Sequence, residues 1–150
     1  YGLLMSANGV GALVGALTVA TLGDSPHKKR ILFTGALGFS AMIVAFAQSD
    51  QFWMTAAILV AAGWFMLLFF SSANTTVQLR VPDEMRGRIM GIYSLCFIGL
   101  TPFGALFAGA SARAIGAPAT LTIGAGVCVI AVLIAMVALS GWSTSPQTRD

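Results

Sequence analysis

The chain has 150 residues, of which 57% are hydrophobic and 9% charged, with a formal net charge of +3 and a mean hydropathy of +0.88. Its eight Lys and Arg, five Asp and Glu and single His cannot cover the exterior of a domain of this size, which excludes a water-soluble protein and turns most of the surface toward lipid. The basic residues stand at the ends of apolar runs and form no continuous face with aromatics between them, so the positive charge does not imply a nucleic-acid partner.

In chain order, apolar runs cover residues 1–22, 31–48, 53–75, 89–112 and 118–139. Each is about 17 to 24 residues long, enough at 1.5 Å per residue to cross a bilayer core of about 30 Å. The second reaches a comfortable length only with Gln48 and Ser49 in the headgroup region. The fold class this implies is all-α: a polytopic bundle of about five transmembrane helices in a single domain. The first run lacks the positive leader and small-residue cleavage site of a signal peptide, and the chain opens on Tyr1 rather than Met. It is therefore expected to begin in the middle of a larger protein.

The segments between the runs alternate in charge. Lys28, Lys29 and Arg30 lie in the first, Arg80, Arg86 and Arg88 in the third, while the second and fourth hold only Arg113; Arg149 lies in the tail. The positive-inside rule makes the first and third loops and the tail cytoplasmic, with Tyr1 outside and Asp150 inside. Phe52 and Trp53 at an outer boundary and Trp142 at an inner one fit an interfacial aromatic belt.

Within the runs, Gly11 and Gly15 form a GxxxG pair, Ala105 and Gly109 a small-xxx-small pair, and Gly99, Gly104 and Gly109 stud the fourth run. Such residues suit close helix approach, although glycine is common in membrane helices generally. Pro102 removes a backbone donor in mid-run and should bend the fourth helix. Cys96 and Cys128, with no partner at metal-ligand spacing, read as small lipophilic core residues.

The pattern Gly15…Leu22-Gly23-Asp24-x-x-x-Lys28-Lys29-Arg30 resembles the loop signature of the major facilitator superfamily. It is a degraded copy: Ser25 replaces the basic residue that usually follows the Asp, and the Gly before the basic cluster is absent. Decay favours the second occurrence of the signature, between helices eight and nine. The stretch Gln78-Leu79-Arg80-Val81-Pro82-Asp83-Glu84-Met85-Arg86-Gly87-Arg88-Ile89-Met90-Gly91, followed by Gly99-Leu100-Thr101-Pro102-Phe103-Gly104 and Ala108-Gly109, is similar to the loop between helices ten and eleven, and to helix eleven, of efflux members related to enterobactin and macrolide exporters. The resemblance implies helices eight to twelve of a twelve-helix fold, whose N-terminal helices are the expected partner. It also implies cytoplasmic gating loops built from Asp24, Lys28, Lys29, Arg30, Pro82, Asp83, Glu84, Arg86, Gly87 and Arg88, with Asp24 facing the N-terminus of helix five. A capped helix end with positive-inside charges accounts for Pro82 to Arg88 equally well on physical grounds.

No ionisable residue lies in the middle of a run, so an intramembrane proton relay, if the whole protein has one, belongs to other helices. His27 reads as a solvated loop residue. There is no nucleophile paired with a base, no phosphate-cradling loop and no metal spacing, which argues against an enzyme, a cofactor or a metal site. The membrane-embedded polar residues are Asn8 and Thr18 in the first run, Ser71, Ser72, Asn74 and Thr75 in the third, and Tyr93, Ser94 and Thr101 in the fourth. Helical spacing places Asn8, Gly11, Gly15 and Thr18 on one face, and Tyr93, Phe97, Thr101 and Gly104 on another; Trp64 and Ser71 can join them. In the resembled fold helices eight, ten and eleven border the central cavity, so these faces are the expected substrate cavity, with hydrogen bonds between packed helices as the other account of the same residues. The function implied is a secondary active exporter of amphipathic small organic molecules in the bacterial inner membrane, working by alternating access. The alternative is a non-transporting or pore-forming membrane subunit.

Overall fold

The structure is a computed structural model that describes residues 2–22 and 28–140. The Gly23–Asp24 signature, Ser25, His27, Trp142 and Arg149 lie outside the described residues, as does the side chain of Lys28. The helices are α1 (Gly2–Leu22), α2 (Lys28–Ala47), α3 (Phe52–Arg80), α4 (Arg86–Gly99), α5 (Thr101–Ile115) and α6 (Ala117–Ser140), with a 3-10 turn at Asp83–Met85 before α4. They make five stretches long and apolar enough to cross a membrane, Asp83–Ile115 being one stretch.

The helices form because their residues are apolar throughout and lipid offers the backbone no partner, so each amide must bond within its own helix. Burial is inverted relative to a soluble protein. The buried residues described include Ala36, Ala62, Ala125, Ser40 and Ser72, with Leu68 the one large member, while Trp53, Phe107 and Ile98 are 83%, 77% and 73% exposed. Large apolar side chains stay in lipid at no cost, and small ones let backbones meet.

α3 is the centre of the arrangement: α1 packs on one side of it and α2 on another, α2 also packs on α6, and α6 on α5. The order of contacts along each pair fixes direction. Gly11 meets Val60 and Gly15 meets Trp64, so α1 and α3 run parallel; Gly35 meets Phe69 and Gly38 meets Phe65, so α2 runs antiparallel to α3. Alternate spans crossing the membrane in opposite senses require this pattern.

Three sequence expectations change here. Cys96 and Cys128 are exposed on the helix surface rather than in a core, because the closest packing is made by Gly, Ala and Ser, and a thiol is as much at home in lipid as a methyl-bearing side chain. The acidic pair behind Pro82 does not open α4: Asp83 and Glu84 lie in the 3-10 turn, and α4 begins only at Arg86. α3 also runs past Thr75 to Arg80, so Gln78 and Arg80 extend it toward the headgroups. A left-handed Gly116, at φ 88°, makes the tight turn between α5 and α6.

Candidate functional site

The expected face of the first span is turned onto α3. Gly11 and Gly15 are buried, and a Cβ on Gly11 would fall onto the Val60 carbonyl. The approach is reciprocal, since a Cβ on Gly63 would meet the Asn8 carbonyl. Two side-chain bonds bracket this contact. Asn8 Nδ2 donates to the Leu59 carbonyl at 3.3 Å, and Trp64 Nε1 donates to Thr18 Oγ1 at 3.1 Å, whose own proton goes to the Val14 carbonyl at 2.8 Å. Asn8, Gly11, Gly15, Thr18 and Trp64 thus come together as one seam, and Thr18 and Trp64 remain half-buried at its edge. Ser71 is half-buried on α3, and its neighbour Ser72 is buried.

The second expected face stands open. No residue of the 3-10 turn, α4 or α5 is buried. The fourth span is broken at Leu100, whose amide bonds back to the Cys96 carbonyl at 3.3 Å. Pro102 lacks the amide that Ile98 would otherwise accept from, and Thr101 Oγ1 donates to the Phe97 carbonyl at 2.9 Å, capping part of the break. The expected bend is therefore a local gap in the hydrogen-bond ladder near the middle of the span, with the Leu100 backbone still in the right-handed helical region at φ −82° and ψ −14°. Tyr93 and Phe97 sit one turn apart below it with ring centroids 5.6 Å apart, and Phe97 packs on Phe70 of α3 at 4.5 Å. Tyr93 Oη is buried with no hydrogen-bond partner. Thr101 and Gly104 are exposed, and nothing lies within 4 Å of a Cβ built on Gly104.

Phe70 and Gly63 are the participants that sequence reasoning passed over. Gly63 sits in a run of apolar residues with the large Leu59 and Leu67 at i±4, so no small-residue motif marks it.

At the end of the bundle where α3 passes into α4, Asp83 Oδ1 and Arg86 pair at 2.6 Å across i,i+3, with both side chains exposed. Such a pair contributes about 0 to 1 kcal/mol, so it orders the turn more than it stabilises the fold. Lys29, Arg30, Pro82, Glu84, Gly87 and Arg88 are exposed on the same flank. Elsewhere, a groove of about 310 Å³ lies between α2, α5 and α6, lined by Phe39, Ser40, Ala108, Thr120 and Cys128 among others. It is far poorer in chemistry than its volume implies. Its two hydroxyl protons are used within their own helices, Ser40 on the Ala36 carbonyl and Thr120 on the Gly116 carbonyl. No group of three or more His, Cys, Asp or Glu that could hold a metal occurs among the described residues.

The family model described as transmembrane secretion effector matches residues 1–147. Among curated relatives, the enterobactin exporter EntS of Shigella flexneri is 27% identical over 137 residues, covering 91% of this chain and 33% of the relative. The enterobactin exporters of Escherichia coli O1:K1 and Escherichia coli O9:H4 match to the same extent, 27% over 137 residues. The chain spans about a third of the length of these relatives. No solved structure matches it.

Proposed function

The chain belongs to the transmembrane secretion effector family of the major facilitator superfamily, and on that premise we propose that it forms helices eight to twelve of a secondary active exporter of amphipathic small organic molecules. The observation that carries the reading is the family match over nearly the whole chain. The relatives' names supply the direction, since the proteins it resembles are exporters. The charge-segregated loops support an orientation with the α1 N-terminus outside and the C-terminal tail cytoplasmic, in a bacterial inner membrane.

The geometry supports a division of labour within such a protein. The α1–α3 seam is close-packed and hydrogen-bonded, fit to move as one body, and its edge at Thr18 and Trp64 borders the cavity. The face of Tyr93, Phe97, Thr101 and Gly104 is open, fit to meet solute, beside the proline-weakened turn at Leu100. The exposed cytoplasmic cluster from Pro82 to Arg88, with Asp24 and the basic residues of the first loop, holds the two halves together when the protein faces outward. Solute moves as the halves rock about this site, and no step requires covalent chemistry.

Distance labels across the cytoplasmic face of the complete protein test this. Two populations are expected, with Asp24→Asn shifting their balance and lowering efflux while membrane insertion is kept. A charge at a partner helix N-terminus is worth about 0.3 to 2 kcal/mol, a shift large enough to measure. One fixed population, with no energised efflux of any amphipathic compound, points instead to a non-transporting subunit.

A further inference from the structure

We propose that Phe70, Tyr93 and Phe97, with the Asn74–Gln78 amide pair beside them, form a subsite for an uncharged, flat aromatic group of the exported molecule that carries a hydrogen-bond acceptor. This rests on the exporter reading and adds the substrate class.

The site follows from register. α3 and α4 are joined by a short turn and run antiparallel, and they meet where Phe70 packs on Phe97 at 4.5 Å between ring centroids. One turn nearer the cytoplasm, the same face of α3 carries Asn74 and the same face of α4 carries Tyr93; a turn further along α3 comes Gln78. Gln78 Nε2 donates to Asn74 Oδ1 at 2.7 Å, and neither Asn74 Nδ2 nor Gln78 Oε1 makes a hydrogen bond within the described residues. The rings are inclined at 58° and 37° to one another rather than stacked into a closed core, and Phe97 remains 39% exposed. They present both edges and faces, the surface on which another aromatic ring packs better than an alkyl chain does.

The decisive feature is the Tyr93 hydroxyl, buried and unpartnered. Buried donors are almost always paired, so an orphan beside open rings is a position held for an acceptor on something else. Asn74 adds two further donors at the same level. No acidic or basic side chain lies between Arg88 and Arg113 on α4 and α5, or before Arg80 on α3, so nothing here compensates a charged ligand.

Two dyes separate the elements of this proposal in energised cells expressing the complete transporter: Nile red, flat and uncharged with a ring carbonyl, and N-phenyl-1-naphthylamine, aromatic without one. Tyr93→Phe should slow Nile red efflux about five-fold, the effect of one modest hydrogen bond, and leave the naphthylamine unchanged. Phe97→Leu and Phe70→Leu should slow both about three-fold or more, at equal amounts of folded protein in the membrane. Equal loss of both dyes in Tyr93→Phe, together with reduced folded protein, would mean that the phenol bonds to another helix, and the subsite is overturned. Wild-type protein that switches between two cytoplasmic label distances on energisation yet moves neither dye overturns the subsite and leaves the exporter standing. No switching and no efflux removes both.

Discussion

Gly11 and Gly63 show most directly what holds this chain together. In lipid there is no hydrophobic gain when one apolar helix leaves the acyl chains for another, so association depends on how closely the backbones approach and on hydrogen bonds across the contact. A Cβ at Gly11 would land on the Val60 carbonyl and one at Gly63 on the Asn8 carbonyl, and both obstacles are backbone, which cannot rotate away. Gly126, with nothing within 4 Å of its virtual Cβ, is the control. Gly11→Ala should therefore destabilise the purified chain in micelles by about 1 to 3 kcal/mol, the usual cost of overpacking. Gly126→Ala should change it by less than about 1 kcal/mol, in the stabilising direction, through helix propensity. Thermal unfolding followed by circular dichroism reads both, and equal effects would mean that α1 and α3 are not in contact. Trp64→Phe, which deletes the bond to Thr18 and keeps a ring, should cost about 0.6 kcal/mol, the average for a hydrogen bond between membrane helices.

At the scale of the element, the fourth span differs from the others in a local gap in its hydrogen bonding at Leu100 and in having no buried residue. Pro102 sits in the first turn of α5, where its missing amide is tolerated, and Leu100 forms the joint. Restoring the amide with Pro102→Ala should fuse α4 and α5, raising hydrogen-exchange protection of amides 100–104, while amides in α3 stay as they were. Unchanged exchange would place the cause of the break elsewhere than at proline. The joint was legible in the sequence because proline acts locally, through an amide it lacks and a carbonyl it crowds. The Gly11 and Gly15 pair was legible as a contact for the same reason, by spacing within one helix. Its partner was not, because Gly63 lies about fifty positions away and spacing along α1 carries no information about which helix fills the groove. The misplacement of Cys96 and Cys128 has a related origin. In lipid, apolar character does not select between inside and outside, so hydropathy could find the spans but could not rank their faces. Spacing marks Asn8 and Thr18 as polar and co-facial, yet only packing shows them bonded to α3.

For the whole molecule, direction of crossing ties the parts together. Parallel α1 and α3, and α2 antiparallel to α3, are what alternating spans demand, and they hold whichever side is the cytoplasm. In the orientation we propose, charge gives the sign. Lys28, Lys29, Arg30, Arg80, Arg86 and Arg88 gather at one end of the bundle, and Asp50 with the exposed Trp53 marks the other. Asp50 and Glu84 are both exposed, in loops on opposite ends of α3, which makes them the pair to label. Because Cys96 and Cys128 are themselves exposed, both must first be replaced, by Ala or Ser. In intact cells, Asp50→Cys should then react with a membrane-impermeant maleimide and Glu84→Cys should not, until the membrane is opened. α3 has 29 residues, about 44 Å of helix at 1.5 Å per residue, so the two sites stand on opposite sides of a core of about 30 Å and cannot both be reached from one side. The opposite labelling would invert the bundle. It would place the basic loops and the Pro82 to Arg88 cluster outside the cell, where they could not latch a cytoplasmic gate, and the assignment to helices eight to twelve would fall with it.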